Sequence, residues 1–234
     1  MSKTRKNSDA RCQCMHGCRH SPTEGSPFCK RHSISCPRKA PLSGSEPDYH
    51  PSKYNKYKGR KNSQNCFSYA FHQTALPKGC TKDACNAPFH QPGIKSGYPK
   101  WSEVDGKRCP DLLARLMGDV PSLRMSTFTK RCPKGMTKAA VVTDADEDYH
   151  FYRQDSTKYW SHKPGSTNVT NLDATGRFIY DPQLASRKYP ASTLNYDNFC
   201  GYFCIPGKKK IKLQRAGARA STYQRKTKKK SVRK

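Results

Sequence analysis

The sequence predicts an α+β domain in which a helix packs on an antiparallel sheet. Three observations support this class. A helical segment begins at Cys66, segments typical of strands follow it along the chain, and two of those strands are separated by a turn of three residues. A helix that precedes consecutive antiparallel strands buries its apolar side against one face of their sheet.

Two helices are predicted in this core. The first covers residues 66–74, because Asn65 is a favourable N-cap, aromatic residues follow it, and Pro77 and Gly79 end the helical pattern. The second covers residues 110–117, with a proline in its first turn and leucines along one face. Both helices therefore present an apolar side to the predicted sheet.

Four strands are predicted after the first helix. They are Lys138–Thr143, Asp148–Gln154, Lys158–His162 and Phe199–Ile205. The second of them alternates and is rich in aromatic residues, and residues 155–157 (Asp-Ser-Thr) are typical of a tight turn. We therefore expect the second and third strands to form an antiparallel hairpin.

Charge divides the chain into four segments. Residues 1–36 are basic and rich in Cys and His, and residues 37–65 have the composition of an extended linker. Residues 66–206 form the predicted core, and residues 207–234 are predicted to be a disordered polycationic tail. The net charge is +10 for residues 1–65, +5 for the core and +13 for the tail. Two basic ends predict an acidic partner, which is an acidic protein surface, an anionic membrane surface or, through non-specific contact of the tail, DNA.

Twelve cysteines are the second unusual feature of the composition. No secretion signal and no apolar run of about 18–20 residues is evident, so we expect neither secretion nor a membrane span. In a chain that is not secreted, many cysteines indicate metal binding or catalysis rather than disulfides. A protein of an extracellular particle is an exception, because its cysteines can oxidise after assembly.

One cysteine and two histidines form a candidate catalytic group. Cys66 begins the first helix, where the helix dipole lowers the pKa of a thiol. His150 lies on the second predicted strand, and His162, across the hairpin, is positioned to orient it; Asp155 and Asp173 are further candidates for that role. The alternative interpretation is a buried apolar cysteine beside a histidine that only makes structural hydrogen bonds.

This order of residues resembles the papain-like cysteine hydrolases, and among them the NlpC-like group. There a Cys opens a helix, a His follows on a strand, and a third polar residue comes from the next strand. The resemblance implies a papain-like core with Cys66 as nucleophile, His150 as base and His162 as the orienting residue. The helix reads NCFSYA where the group has Asp-Cys-Ser-Gly, and an inactive hydrolase fold can also serve as a scaffold.

The N-terminal cysteines have spacings typical of a zinc site. The pattern is Cys12-x-Cys14-x3-Cys18-x10-Cys29-x2-His32. Cys12 or Cys14 would complete a tetrahedral Cys3His set with the other three residues, and a bound Zn²⁺ would let a segment with few apolar residues fold. The Cys-x2-His end resembles small zinc knuckles of viral and DNA-associated proteins. Disulfides are the competing interpretation.

Several short strings resemble proteins of large nucleocytoplasmic DNA viruses, such as algal viruses. The strings are Pro41–Pro47, Asn65–Ala70, Tyr149–Asp155, Trp160–Gly165, Asp181–Pro182 and Phe199–Pro206. This resemblance implies a structural or accessory virion protein of the minor capsid type, found in the virion and in the host cytoplasm or nucleus, with other capsid proteins as partners. A cysteine peptidase or amidase using Cys66 and His150, and a zinc-knuckle protein that binds nucleic acid, are the alternatives.

Overall fold

A computed structural model describes residues 10–33, 35–103, 108–145, 147–189, 192–207 and 211–216. In this part of the chain all four α-helices precede the five strands. The helices are α1 (Ser52–Asn55), α2 (Lys58–Ser63), α3 (Cys66–Ala70) and α4 (Cys109–Asp119), and the strands are β1 (Arg124–Ser126), β2 (Met136–Thr143), β3 (Tyr149–Gln154), β4 (Trp160–His162) and β5 (Asn198–Pro206). The predicted mixture of helices with an antiparallel sheet is confirmed.

The sheet has the strand order β1-β5-β2-β3-β4, and every neighbouring pair is antiparallel. β2 lies at its centre and pairs with β5 from Met136 opposite Pro206 to Thr143 opposite Asn198. A bulge interrupts this register between Val141 and Val142. Because β2 has neighbours on both edges and packing on both faces, its Ala and Val residues are buried.

The predicted hairpin is formed by β3 and β4. Tyr152 lies opposite His162 and Gln154 lies opposite Trp160. The turn closes with the N–H of Asp155 donating to the carbonyl oxygen of Tyr159 at 2.9 Å. This register brings His150 of β3 close to His162 of β4, and both residues belong to the candidate site.

Each face of the sheet carries an apolar cluster. The helical side comprises Cys66, Phe67, Ala70, Phe71, Trp101, Leu112, Leu116, Val120, Leu123, Ala139, Val141, Tyr149, Phe151, Phe203 and Ile205. The opposite side comprises Ala40, Phe128, Ala140, Val142, Tyr152, Trp160, Ile179, Ala185, Tyr196 and Tyr202. Successive residues of β2 and β3 alternate between the clusters, as the pleat of a strand requires.

Helix α3 begins where the sequence predicts and ends earlier. Asn65 and Ser68 form a capping box, in which the N–H of Ser68 donates to Asn65 and the N–H of Asn65 donates to Ser68. The predicted end at Thr74 is wrong, because His72 adopts a left-handed conformation (φ 59°) and the N–H of Gln73 turns back to the carbonyl oxygen of Ser68. This is a helix-ending geometry that the residue types did not indicate.

Helix α4 is slightly longer than predicted and holds the loop beside the candidate site. The Asp119 carboxylate accepts hydrogen bonds from the N–H of Gly93 at 2.7 Å and from the N–H and hydroxyl of Ser96. Buried Arg115 donates to the carbonyl oxygen of Pro99 at 2.7 Å. These contacts fix the loop that carries Trp101 into the cluster on the helical side.

The two predicted extensions make more contacts than their composition suggests. Residues 37–65 include α1 and α2, and Tyr54 of α1 packs edge-on against Tyr69 at 4.8 Å. In the predicted tail, Ile211 and Leu213 pack against the cluster on the helical side. The remainder of the predicted tail, residues 208–210 and 217–234, lies outside the described residues.

Eight of the twelve cysteines form disulfides, so the expectation that metal binding or catalysis would predominate is wrong for most of them. The pairs are Cys14–Cys36, Cys80–Cys85, Cys109–Cys200 and Cys132–Cys204. That expectation assumed a chain that is not secreted, and the sequence pattern does not show which cysteines meet in space. The four remaining thiols are Cys12, Cys18, Cys29 and Cys66. They are all residues singled out for metal binding or catalysis.

Among the helices that the structure describes, α4 is the longest with 11 residues. None of the described helices combines the length and apolar character that crossing a bilayer requires.

Candidate functional site

Cys66 lies on the wall of a cavity that we call the thiol cleft. Its volume is about 700 Å³. The cleft is lined by Asn65, Cys66, Phe89, Gln91, Trp101, Ser102, Glu147, Asp148, Tyr149, His150, Pro164, Gly165, Ser166, Thr167, Tyr189, Ser192, Leu194 and Tyr196. The structure thus brings Cys66 and His150 to one cavity. Cys66 is 5% exposed, and its Sγ lies 3.9 Å from the carbonyl oxygen of Tyr149.

Burial raises the pKa of the Cys66 thiol well above its ordinary value, and the negative charge of Asp148 adds to this effect. Backbone N–H groups of Phe151 and Phe67 and the charge of Lys163 act in the opposite direction but do not compensate. The expectation of a lowered pKa is therefore wrong for this structure. Helix α3 has only five residues, so its dipole is small beside the cost of burying a thiolate.

The two histidines are joined directly. Nε2 of His150 lies 2.7 Å from Nδ1 of His162, and Nε2 of His162 lies 3.0 Å from the carbonyl oxygen of Leu172. A carbonyl oxygen only accepts, so Nε2 of His162 carries the proton and its Nδ1 accepts one from His150. Nδ1 of His150 is then the unprotonated nitrogen, on a residue that lines the thiol cleft.

Both imidazoles are neutral at neutral pH. Burial lowers the pKa of His150 well below its ordinary value, and a charge on His162 would lower it further. Burial lowers the pKa of His162 to about 4, against the opposing effects of the Leu172 carbonyl and Asp173. The cavity is therefore lined by a neutral thiol and by one member of a neutral histidine pair, and nucleophilic attack by sulfur requires that the thiol first lose its proton to a base.

Cross-strand register explains why the histidines meet. His162 is opposite Tyr152 in the hairpin, so it is a diagonal neighbour of His150. The other two candidates for the orienting role are used elsewhere. Asp155 pairs with Arg153 at 3.0 Å, and Asp173 accepts hydrogen bonds from its own loop.

The N-terminal segment forms a compact set of metal-ligand side chains, the Cys3His cluster of Cys12, Cys18, Cys29 and His32. All four ligand atoms lie within 4.8 Å of one another. Nδ1 of His32 is 3.3, 3.8 and 3.4 Å from the sulfurs of Cys12, Cys18 and Cys29, and the sulfurs of Cys18 and Cys29 are 3.9 Å apart. A tetrahedral Zn²⁺ site requires about 3.6 Å between N and S and about 3.8 Å between sulfurs. The cluster can therefore hold a metal ion.

Cys14 was an alternative ligand to Cys12 and does not join the cluster. Its sulfur is bonded to that of Cys36. The spacing in the sequence could not decide whether Cys12 or Cys14 is the ligand, because the two cysteines are only two positions apart. Within the cluster, burial opposes ionisation of Cys29, but N–H groups of His32 and Arg31 and the thiols of Cys12 and Cys18 lower the pKa of Cys29 overall.

Gln13 connects this cluster to the segment between β4 and β5 and was missed by sequence reasoning. It is 1% exposed, and its amide nitrogen donates to Asp173 at 3.3 Å and to the carbonyl oxygen of Phe178 at 3.2 Å. Its oxygen accepts the N–H groups of Tyr180 at 2.7 Å and Asp181 at 3.1 Å. Nothing in the sequence distinguishes this glutamine except its position between two cysteines.

Lys163 is a second residue that the sequence did not single out. Its side chain is fully buried, and Nζ donates to the carbonyl oxygens of Lys61 and Gly165, each at 2.7 Å. Burial lowers the pKa of Lys163 to about 7. Because Pro164, Gly165 and the two residues after them line the thiol cleft, Lys163 fixes that part of the wall.

Comparison with known proteins gives a partial answer on identity. No family model matches the chain, and no solved structure matches it. Over 141 residues the chain is 33% identical to insoluble matrix shell protein 1 of the mollusc Ruditapes philippinarum. The match covers 60% of this chain and 78% of that protein.

This relationship corrects two predictions from the short strings shared with viral proteins. The predicted role as a virion protein, with capsid proteins as partners, is wrong, and so is the predicted location in a virion and its host cell. The strings contain residues that serve general packing, such as the helix cap Asn65 and the turn at Asp155, which do not identify a source. The two proteins are 33% identical over 141 residues, and these cover 78% of the mollusc protein. This chain therefore belongs to the family of insoluble matrix shell protein 1.

Proposed function

We propose that the protein is a structural component of an insoluble extracellular matrix. The identity with insoluble matrix shell protein 1 carries this proposal. Four disulfides support it, because disulfides form and persist in oxidising compartments outside the cell. They also suit a protein that must stay folded without cellular maintenance.

Acidic matrix macromolecules are the partners that the charge favours. The chain carries 45 Lys and Arg against 17 Asp and Glu. A surface of this charge attracts acidic proteins and other polyanions and concentrates them by long-range attraction. DNA contact through the tail stays a prediction, since most of that segment lies outside the described residues.

Fractionation of the source tissue tests the structural role. The matrix is extracted first with salt and then with urea and detergent, and the chain is quantified by mass spectrometry in each extract and in the residue. We expect most of it in the insoluble residue, with release only after disulfide reduction. Recovery of most of the chain in the salt extract would contradict the proposal.

We further propose that the Cys3His cluster binds one Zn²⁺ ion in a structural role. Four protein ligands complete a tetrahedral shell and leave no open position for substrate, which is typical of structural rather than catalytic zinc. The segment around the cluster has few apolar side chains, so metal binding would supply stability that packing does not.

A second function is favoured by the thiol cleft, namely acyl transfer or hydrolysis in a papain-like core. The specific observation is that Cys66, at the start of a helix, lines the same cavity as His150, which is hydrogen-bonded to His162. The Cys66 thiol would pass its proton to Nδ1 of His150 as sulfur attacks an amide carbonyl carbon. The C–N bond would then break, the leaving amine would take that proton, and water would release the acyl group from sulfur.

A thiol-directed acyl probe tests this second function in the full chain loaded with zinc, with the labelled cysteine identified by peptide mapping. We expect labelling of Cys66 that falls at least tenfold in His150→Gln and disappears in Cys66→Ser. His50→Gln is the matched control, because that histidine lies outside the cleft, and it should leave labelling unchanged. Labelling of Cys66 at the same rate in His150→Gln would contradict the proposed role of His150.

A further inference from the structure

Three cationic side chains converge on the ring of Tyr57, which lies between α1 and α2. The Nζ atoms of Lys56 and Lys82 lie 5.4 and 5.2 Å from the ring centroid, and the guanidinium carbon of Arg60 lies 5.7 Å from it. We call these four residues the Tyr57 patch. The ring attracts each cation through its face, but the three charges are close enough to repel one another in dilute salt.

The Tyr57 patch has no carboxylate of its own. Residues 49–82 contain seven Lys or Arg and no Asp or Glu. Among the described residues, no salt bridge involves any of the three cations, and none involves Asp83, the carboxylate that follows Lys82 in the chain. Lys56 and Lys82 are exposed, so a ligand can reach them from solvent. The uncompensated positive charge therefore favours an external anion.

Backbone contacts fix the cations of the Tyr57 patch in place. Residues 80–85 form a loop whose first and last residues are joined by a disulfide, and the N–H of Gly59 donates to the carbonyl oxygen of Lys82 at 2.7 Å. A Cβ atom at Gly59 would lie 2.0 Å from the carbonyl oxygen of Thr81, so this close approach requires glycine. The guanidinium of Arg60 donates to a carbonyl oxygen of α1 at 2.7 Å. The patch is therefore largely formed before any ligand binds.

We propose that the Tyr57 patch binds an acidic peptide segment of another matrix protein. Charge complementarity identifies the occupant, and the origin of the partner rests on the matrix role proposed above. Alternate side chains of an extended peptide lie on one side about 7 Å apart, so two carboxylates of an Asp-rich segment can reach cations grouped around one ring. Each carboxylate would accept charge-assisted hydrogen bonds from the Lys or Arg side chains.

Lysine acylation in the purified full-length chain tests the Tyr57 patch residue by residue. The probe is a poly-aspartate peptide, and mass spectrometry measures the acylation rate of each lysine with and without it. At low salt we expect about fivefold protection of Lys56 and Lys82, and at most about twofold protection of Lys130 and Lys134, which are exposed lysines outside the patch. Protection should be lost in about 1 M salt, where the Debye length is about 3 Å. Equal protection of all four lysines would overturn the proposal.

Matched variants separate a formed patch from attraction to net charge. Lys82→Gln should reduce the protection of Lys56 to at most about twofold, because the cations act together, whereas Lys130→Gln removes the same charge elsewhere and should leave it unchanged. Gly59→Ala preserves every charge but displaces residues 80–85, so it should also reduce the protection of Lys82. Full protection of Lys56 in Lys82→Gln would overturn the proposal.

A DNA oligonucleotide of the same charge as the peptide tests the class of ligand. Protection of Lys56 and Lys82 by DNA at a lower concentration than by poly-aspartate would overturn the assignment to an acidic peptide. The measurement uses the purified chain, so its failure is distinguishable from failure of the matrix role. A chain found in the insoluble residue of the tissue, yet without protection of these two lysines, would contradict this inference alone.

Discussion

The Cys3His cluster and the thiol cleft both combine cysteine with histidine, yet their geometries are opposite. In the cluster three thiols surround one imidazole nitrogen at 3.3–3.8 Å. In the cleft a single thiol lies among apolar groups, and the two histidines bond to each other at 2.7 Å. Converging ligand atoms favour a metal ion, whereas an isolated buried thiol keeps its proton.

The pKa values of Cys29 and Cys66 are shifted in opposite directions, although burial raises the pKa of Cys12 within the same cluster as Cys29. Burial disfavours the thiolate of both Cys29 and Cys66. Around Cys29 backbone N–H groups and neighbouring thiols outweigh burial and lower the pKa, whereas around Cys66 the charge of Asp148 adds to burial and raises it. The surrounding dipoles and charges, rather than the residue type, therefore decide which cysteine ionises.

Loss of a ligand from the cluster should have the largest effect. We expect Cys29→Ser to abolish binding of one Zn²⁺ per chain, with loss of about 10–16 kcal/mol of metal-binding free energy from the N-terminal segment. Zinc content by native mass spectrometry checks this, and Cys66→Ser is the matched control that should keep its zinc. Retention of one zinc by Cys29→Ser would remove the distinction between the two regions.

The histidine pair predicts a loss of stability in acid. Because the pKa of His162 is about 4 in the folded chain and about 6.5 when unfolded, the unfolded state binds more protons between these values. The stability contributed by neutral His162 is complete above pH 6.5 and is lost as the pH falls towards 4, by roughly 3 kcal/mol. Urea unfolding at several pH values measures it.

His162→Gln supplies the comparison for this pH dependence. The variant should show a flatter stability profile between pH 6.5 and 4, since its side chain does not titrate. A profile as steep as that of the original chain would mean that His162 is not the buried neutral group described above.

Gln13 should have the smallest effect of the three sites, because its side chain contributes hydrogen bonds but binds no metal ion and does not titrate. Gln13→Ala removes four of them and leaves buried N–H groups of Tyr180 and Asp181 unsatisfied. We expect a loss of about 2–3 kcal/mol in unfolding free energy with zinc content unchanged. His20→Ala, at an exposed site in the same segment, is the control.

No change in stability of Gln13→Ala would show that the two regions are energetically independent. Loss of zinc together with stability would instead mean that the contacts of Gln13 hold the ligands in place.

Local signals predicted the parts of the molecule that local chemistry controls. The start of α3 at Cys66 follows from the Asn65 cap, and the pairing of His150 with His162 follows from a hairpin recognisable by its turn. The spacing of cysteines likewise predicted the Cys3His cluster.

Features that depend on distant parts of the chain were not predictable. The Cys109–Cys200 bond joins residues 91 positions apart, and no local pattern encodes that proximity. The raised pKa of Cys66 arises from tertiary burial, which overrides the favourable position at a helix start. Gln13 was missed because its partners lie 160 or more residues away.

The most direct test of the contrast is the alkylation rate of each free cysteine in the zinc-loaded chain between pH 6 and 9. We predict that Cys12, Cys18 and Cys29 stay unlabelled until a chelator is added, because their sulfurs are metal ligands. The rate at Cys66 should rise about tenfold per pH unit throughout, as expected for a thiol of raised pKa. A rate at Cys66 that is level below pH 8, or free labelling of the three cluster cysteines with zinc bound, would contradict the account.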